Sequence, residues 1–219
     1  MGILRVAARA RDILHSGVGT IDLHLLKAEL LAEHRVFERR PLADLLPKGG
    51  IGAEIGVFAG LFSAILLELT KPRLAYFVDP WWTVFGERYP DWGTYTDRGR
   101  LATRTAYQAA SRRIASHANG ARTEIVIDVS MNFFKGMPDH YFDWVYLDSS
   151  HTYEGTAAEL AIIRPKLKPD GILAGDDWLD DPSHIHYGVS KAVRESVERG
   201  KYGSLQLMPA LQWMVRPAG

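Results

Sequence analysis

The sequence of 219 residues contains no cysteine. That absence excludes disulfide staples, thiolate metal sites and cysteine nucleophiles together. Net charge is missing as well, because 26 Lys and Arg balance 26 Asp and Glu. Nucleic-acid binders normally carry a basic excess or stripe, so the balance argues against that partner and against a charged disordered tail. No run approaches the roughly 18 consecutive apolar residues that a membrane span requires. The opening MGILRVAARARDIL interrupts its apolar residues with Arg5, Arg9 and Arg11, so it lacks the unbroken apolar stretch of a signal peptide. Internal repeats and low-complexity segments are absent too. What remains is 47% hydrophobic and 24% charged residues, close to the globular average. The expectation is a soluble, cytoplasmic chain with a packed core.

Residues 3–14 and 22–38 carry helical spacing, with Thr20 or Asp22 available to cap the second segment. A proline-flanked stretch from Pro41 to Pro47 then leads to Lys48-Gly49-Gly50. This divides the chain into a helical extension, 1–45, and a main domain, 46–219. From Gly50 a strand-then-helix rhythm begins, which predicts a mostly parallel sheet flanked by helices. Strands are expected at Ile51–Ile55, Ala75–Val78, Glu124–Asp128, Trp144–Leu147 and Ile172–Ala174. Helices are expected at Leu61–Leu69, Thr96–Ala118, Tyr153–Leu167 and Val189–Glu198. Ser204–Met208 and Leu211–Val215, joined by Pro209-Ala210, read as an antiparallel hairpin ending a seven-stranded, doubly wound α/β sheet.

Ligands of open α/β sheets sit beyond the carboxyl ends of the strands. Each of the five parallel strands has an acid at or beside that end: Glu54, Asp79, Asp128, Asp148, and Asp176 with Asp177. One acid in a loop means little. Acids at all five strand ends, converging on a crevice, repel one another unless a cation or a hydroxyl-rich ligand fills it. In the first loop, Glu54-Ile-Gly56-Val-Phe-Ala-Gly60-Leu-Phe-Ser63, Gly56 permits a tight turn and Gly60 lets the helix start approach a ligand. The dinucleotide fingerprint G-x-G-x-x-G fails, since its third position would be Ile55, and no Lys follows Gly60 to make a phosphate loop. Asp79 ends the next strand, where an acid can grip two ribose hydroxyls.

Glu54-x-Gly56-x-x-x-Gly60, Asp79 and Asp148 together resemble the Rossmann-like class I S-adenosylmethionine-dependent methyltransferases. A narrower likeness lies in Asp148-Ser-Ser-His151-x-Tyr153-Glu154 and Leu167-Lys-Pro-Asp-Gly171-Ile-Leu-Ala-Gly175-Asp176-Asp177-Trp178. These segments resemble the metal-dependent sugar O-methyltransferases of macrolide biosynthesis and the mycobacterial enzymes that methylate methylmannose oligosaccharides. Asp170 departs from the family's usual second glycine, which concerns only a turn. The resemblance spans roughly residues 48–216, and the first 45 residues carry no matching motif. It implies that Glu54, Gly56, Gly60 and Ser63 line the methionine end of S-adenosylmethionine, with Asp79 at the ribose. Asp128 and Ser130 would border the adenine. It also implies a Mg²⁺ triad of Asp148, Asp176 and Asp177 and a catalytic base at His151.

The implied chemistry is coherent. Methyl transfer to a hydroxyl needs a deprotonated, well-placed oxygen, and a divalent cation lowers the hydroxyl pKa while fixing its position. Three carboxylates without thiolates suit a hard cation, so Mg²⁺ is favoured over Zn²⁺. Asp176-Asp177 in isolation would read as a helix cap after a glycine turn. Trp81, Trp82 and Trp92 crowd the loop after the second strand, and Trp178 follows the acids, whereas Trp144 and Trp213 sit inside strands as core. The stretch from Trp82 to Gly93 suggests a lid whose flat rings pack on a sugar or shield the sulfonium. His184 and His186 are given no catalytic role, although their loop, 180–187, borders the substrate region. The acceptor is expected to be a small molecule or oligosaccharide, and the helical extension to pair subunits in a homodimer. The alternatives are a catechol-type methyltransferase, a nicotinamide-dependent oxidoreductase and a non-catalytic cofactor-binding module.

Overall fold

A computed structural model describes residues 22–218; the helix expected at 3–14 lies outside them. Two helices lead in, α1 (Leu23–Glu38) and α2 (Arg40–Leu45). The alternation follows as β1 (Ile51–Ile55), α3 (Leu61–Thr70), β2 (Leu74–Val78), α4 (Trp82–Phe85), α5 (Thr103–His117) and β3 (Arg122–Val126). It continues with α6 (Ser130–Lys135), β4 (Phe142–Leu147), α7 (Tyr153–Ile163), β5 (Leu167–Gly175) and α8 (Tyr187–Glu198). The chain closes with β6 (Gln206–Met208) and β7 (Gln212–Val215). The seven strands form one sheet in the order β3-β2-β1-β4-β5-β7-β6. β1 to β5 run parallel, while β7 pairs antiparallel with both β5 and β6. This is the doubly wound sheet with a C-terminal antiparallel pair that the alternation predicts.

Strand residues alternate between two buried faces. Ile51, Ala53, Ile55, Val145 and Leu147 pack with Phe133, Leu160 and Val189, from α6, α7 and α8. On the other face Ala75 and Phe77 pack with Leu25, Leu67, Ala106 and Ile114, from α1, α3 and α5. Trp144 and Tyr146 meet Leu42, Phe62 and Leu66 beside them. Trp144 and Trp213 are fully buried, as their strand positions suggested.

α1 starts at Asp22, whose carboxylate accepts from the His24 and Leu25 backbone N–H groups at 2.9 and 3.0 Å. Its amino end is tied down by His24 against Asp97 at 2.5 Å and its middle by Glu29 against Arg113 at 2.6 Å. α5 begins at Thr103, seven residues later than expected, because Asp97, Arg98 and Gly99 all take positive φ and no helix passes through them. The stretch expected to be an open lid is folded instead. It holds α4 and a 3₁₀ turn, Gly93–Thr96, around packed rings of Phe85, Tyr89 and Trp92.

Candidate active site

The site is a product of register. In the parallel ladder Ile55 lies opposite both Val78 and Leu147, Leu147 opposite Gly175, and Val78 opposite Val126. One further backbone bond continues each pairing past the strand end. Gly56 N–H donates to the Val78 carbonyl, Asp79 N–H to Val126, Asp148 N–H to Ile55 and Asp176 N–H to Leu147. Asp79, Gly56, Asp148 and Asp176 therefore stand in a row along the carboxyl edge, centred where the strand order reverses between β1 and β4. That reversal is the usual ligand crevice of such sheets.

Gly56 is required there. Its φ is +88°, and a Cβ would lie 1.7 Å from the Asp148 carbonyl oxygen. The loop it begins turns tightly, with Gly60 N–H donating to the Val57 carbonyl at 2.9 Å. Gly60, at φ +75°, lets α3 start against Ala110, 2.8 Å from where its Cβ would be. Asp79 holds this loop: one oxygen accepts from Val57 and Phe58 N–H, the other from Trp81 N–H at 2.8 Å. Each carboxylate oxygen has two lone pairs, so the second oxygen keeps capacity for a ligand hydroxyl. Glu54 is buried beneath the loop and accepts from the Ser63 hydroxyl at 2.5 Å. Burial pushes its carboxyl up to about 8, with Asp148 adding to the shift and Ser63 opposing it.

Asp128 sits two residues past β3 and accepts from Val129 N–H and Asn132. Ser130 opens α6 and donates to Glu159 of α7 at 2.5 Å. Glu159 also accepts from Ser149 at 2.6 Å, so it links the third and fourth loops. No motif marks Glu159 in the sequence; it is a buried helix acid visible only after folding.

Asp148, Asp176 and Asp177 come together, each offering an oxygen within 4.8 Å of the others. The exit from β5 is pinned by β7, since the Trp213 indole donates to the Asp176 carbonyl and Trp178 N–H to Leu211. Asp177 takes φ +60°, which turns its side chain back over the row, and no helix begins until Tyr187. The helix-cap alternative for this pair is thereby removed. His151 Nε2 lies 3.0 Å from Asp177 and 3.6 Å from Asp148. His186 Nδ1 lies 3.2 Å from Asp177, and its ring lies tilted by 30° against that of His151, 4.4 Å between centroids. The loop histidine given no role in the sequence thus faces the acids.

The end of α1 contributes two arginines that no motif announced, Arg35 from its last turn and Arg39 from its carboxyl cap. Arg39 contacts Asp148 at 3.1 Å and Asp176 more closely, and it lies 5.6 Å from the Phe62 ring. Arg35 contacts Asp176 at 2.7 Å and Asp177 at 2.5 Å. Burial works against ionising Asp148, yet Arg39 and then His151 hold its carboxyl below the ordinary range. Asp176 moves the other way, up to about 7, through burial and the neighbouring charge of Asp148. Burial would lower the His151 pKa, but Asp148 and Asp177 raise it overall. Only the spacing of Arg35 and Arg39 by one helical turn could have hinted at a shared face.

A crevice at the switch point, a glycine that no side chain can replace and an acid clasping the loop are features shared by many α/β folds. A family comparison decides among them: the methyltransferase domain family matches residues 53–178. The chain belongs to that family. Membership makes it a class I methyltransferase with S-adenosylmethionine as methyl donor. Solved structures agree on the fold. A protein from Corynebacterium glutamicum is 13% identical with a TM-score of 0.58, covering 98% of this chain and 89% of that one. A candidate O-methyltransferase from Nostoc punctiforme is 12% identical with a TM-score of 0.58, covering 98% and 68%. An rRNA methylase from Streptococcus thermophilus is 14% identical with a TM-score of 0.53, covering 92% and 100%. No curated protein matches the sequence. Among the described residues no helix of this methyltransferase is long and apolar enough to cross a membrane.

Proposed function

We propose that this methyltransferase transfers a methyl group to a sugar hydroxyl, using a divalent cation, Mg²⁺, at Asp148, Asp176 and Asp177 and a base at His151. The observation that carries the reading is the convergence of these three carboxylates beside the Gly56 crevice, with His151 3.0 Å from Asp177. The donor set fits the cation: its oxygens are hard ligands, and Asp176 Oδ1 is buried without a hydrogen-bond partner. When bound, the cation would supply Lewis acidity at the acceptor oxygen and S-adenosylmethionine the electrophilic methyl.

The chain's own residues do the rest. Gly56 and Gly60 shape the loop for the methionine end, over Glu54 and Ser63, and the remaining lone pair on the Asp79 oxygen that accepts from Trp81 is offered to the ribose. Asp128 and Ser130 stand where the adenine would lie. His151 Nε2 takes the hydroxyl proton as the oxygen–methyl bond forms and the sulfur–methyl bond breaks, and the proton leaves by the half-exposed ring. Trp92, left exposed at the edge of the packed rings of Phe85 and Tyr89, offers a flat face, which supports an acceptor with flat or ring-shaped faces.

Transfer of label from methyl-labelled S-adenosylmethionine across mono- and oligosaccharides, a catechol and a hydroxycinnamoyl thioester, with and without Mg²⁺, tests this. Transfer to a sugar, lost with chelator and restored by Mg²⁺, is the expected result. Transfer confined to aromatic hydroxyls would replace the sugar acceptor, and full activity in chelator would remove the cation. Asp177→Asn is the matching variant, because asparagine tolerates positive φ; it should lose turnover but keep cofactor binding.

A further inference from the structure

Each neighbouring pair of the three carboxylates is already bridged by a guanidinium. Arg39 spans Asp148 and Asp176, and Arg35 spans Asp176 and Asp177. Three carboxylates against two guanidinium groups leave one negative charge, and His151 beside Asp148 and Asp177 offsets that one when it is protonated. A dication added on top would place like charges on the same oxygens, in a setting where Asp176 and Asp177 are buried and screening is poor.

The two arginines are not equally able to leave. Arg39 is enclosed, with 9% of its side chain exposed, and its position between α1 and α2 is fixed by the turn. Arg35 is 44% exposed and reaches in from the last turn of α1, with solvent beside it. The half of α1 nearer its amino end carries the anchors, Asp22, His24 and Glu29, whereas Leu31 and Phe37 near the other end are exposed. Val36 packs on the core and the enclosed Arg39 follows it, so Arg35 leaves by a swing of its own side chain and a loosening of the last turn, without undoing the buried contacts of Leu25 and Ala28.

We propose that Arg35 is a tethered counter-cation, holding Asp176 and Asp177 in place and competing with a divalent cation for the same oxygens. Cation binding expels its guanidinium to solvent, and Arg39 stays as the permanent partner of Asp148. Arg35 and Arg39 then take part in the site from outside the sheet domain: they set how tightly it holds its cation. This rests on the reading of Asp148, Asp176 and Asp177 as the cation site.

The test is Mn²⁺ binding to the full chain, followed by the loss of the free-ion paramagnetic resonance signal, with hydrogen exchange of residues 31–39 measured alongside. Arg35→Gln should bind Mn²⁺ at least 10-fold more tightly than wild type, and Arg35→Lys within about threefold of it. Arg40→Gln, which removes a charge paired with Glu68 away from the acids, should stay within twofold and so controls for general electrostatics. Mn²⁺ should speed exchange at the end of α1 in wild type and leave it unchanged in Arg35→Gln. Equal Mn²⁺ affinity in wild type and Arg35→Gln, or equal gains in Arg35→Gln and Arg40→Gln, would overturn the competition alone. Failure of Mn²⁺ to bind any of them would overturn both it and the cation site beneath it.

Discussion

His151 is held by geometry that a single substitution can test. It leaves the strand end that carries Asp148 and points at Asp177, so in the proposed function the acids would fix the angle at which its ring meets a bound hydroxyl. A positioned base typically contributes 10²–10⁴-fold. His151→Ala should therefore lower kcat by at least about 10²-fold with cofactor affinity nearly unchanged, and remove the limb of the pH–rate profile that rises with pH. A variant within fivefold of wild type at every pH would reduce His151 to a loop residue. Gly56→Ala is the harsher change. It combines left-handed strain of about 1–2 kcal/mol with the overpacking cost of about 1–3 kcal/mol against the Asp148 carbonyl. A denaturant midpoint matching wild type would show that the loop can yield there.

Helix α1 shows what pattern can and cannot disclose. Its span was readable from leucine spacing, and Asp22 was one of two candidate caps; the structure chooses it. Asp22→Ala should cost about 1 kcal/mol of stability, seen as a lower denaturant midpoint and faster amide exchange in the first turn of α1. Unchanged exchange there would mean that the anchors to Asp97 and Arg113 hold the helix without its cap. β1 was legible to the residue, because a short apolar run between glycines has few other fates. Helix α6 was missed: Ser130–Lys135 is too short for periodicity to register. The acids of the crevice were legible because each follows its own strand. Arg35, Arg39, His186 and Glu159 were not, since each reaches the site across a tertiary contact that local spacing does not encode.

At the scale of the whole molecule, burying acids makes stability depend on pH in an unusual direction. The folded chain keeps a proton on Glu54 up to about 8, while the unfolded chain releases it near 4.5. Between those values the folded state binds the extra proton, so stability falls as pH rises, by up to about 1.4 kcal/mol per pH unit from this group. Asp176, raised to about 7, acts in the same sense. Asp148, held low, gives the opposite dependence only in acid. Glu54→Gln should flatten, without abolishing, the decline in urea midpoint between pH 5 and 8; an identical slope would place the effect elsewhere. One contact joins the two halves of the site more directly than charge does. The backbone at Gly56 rests on the carbonyl of Asp148, so under the proposed function the wall of the donor pocket would also be the back of the acceptor pocket. Whichever ligand enters first stiffens that shared wall and spares the second part of the ordering cost. Donor product should therefore tighten acceptor binding, and acceptor should tighten donor product by the same factor, because the coupling belongs to the cycle and to neither ligand. Calorimetry around the four corners would measure it, and two independent affinities would show that the halves are mechanically separate.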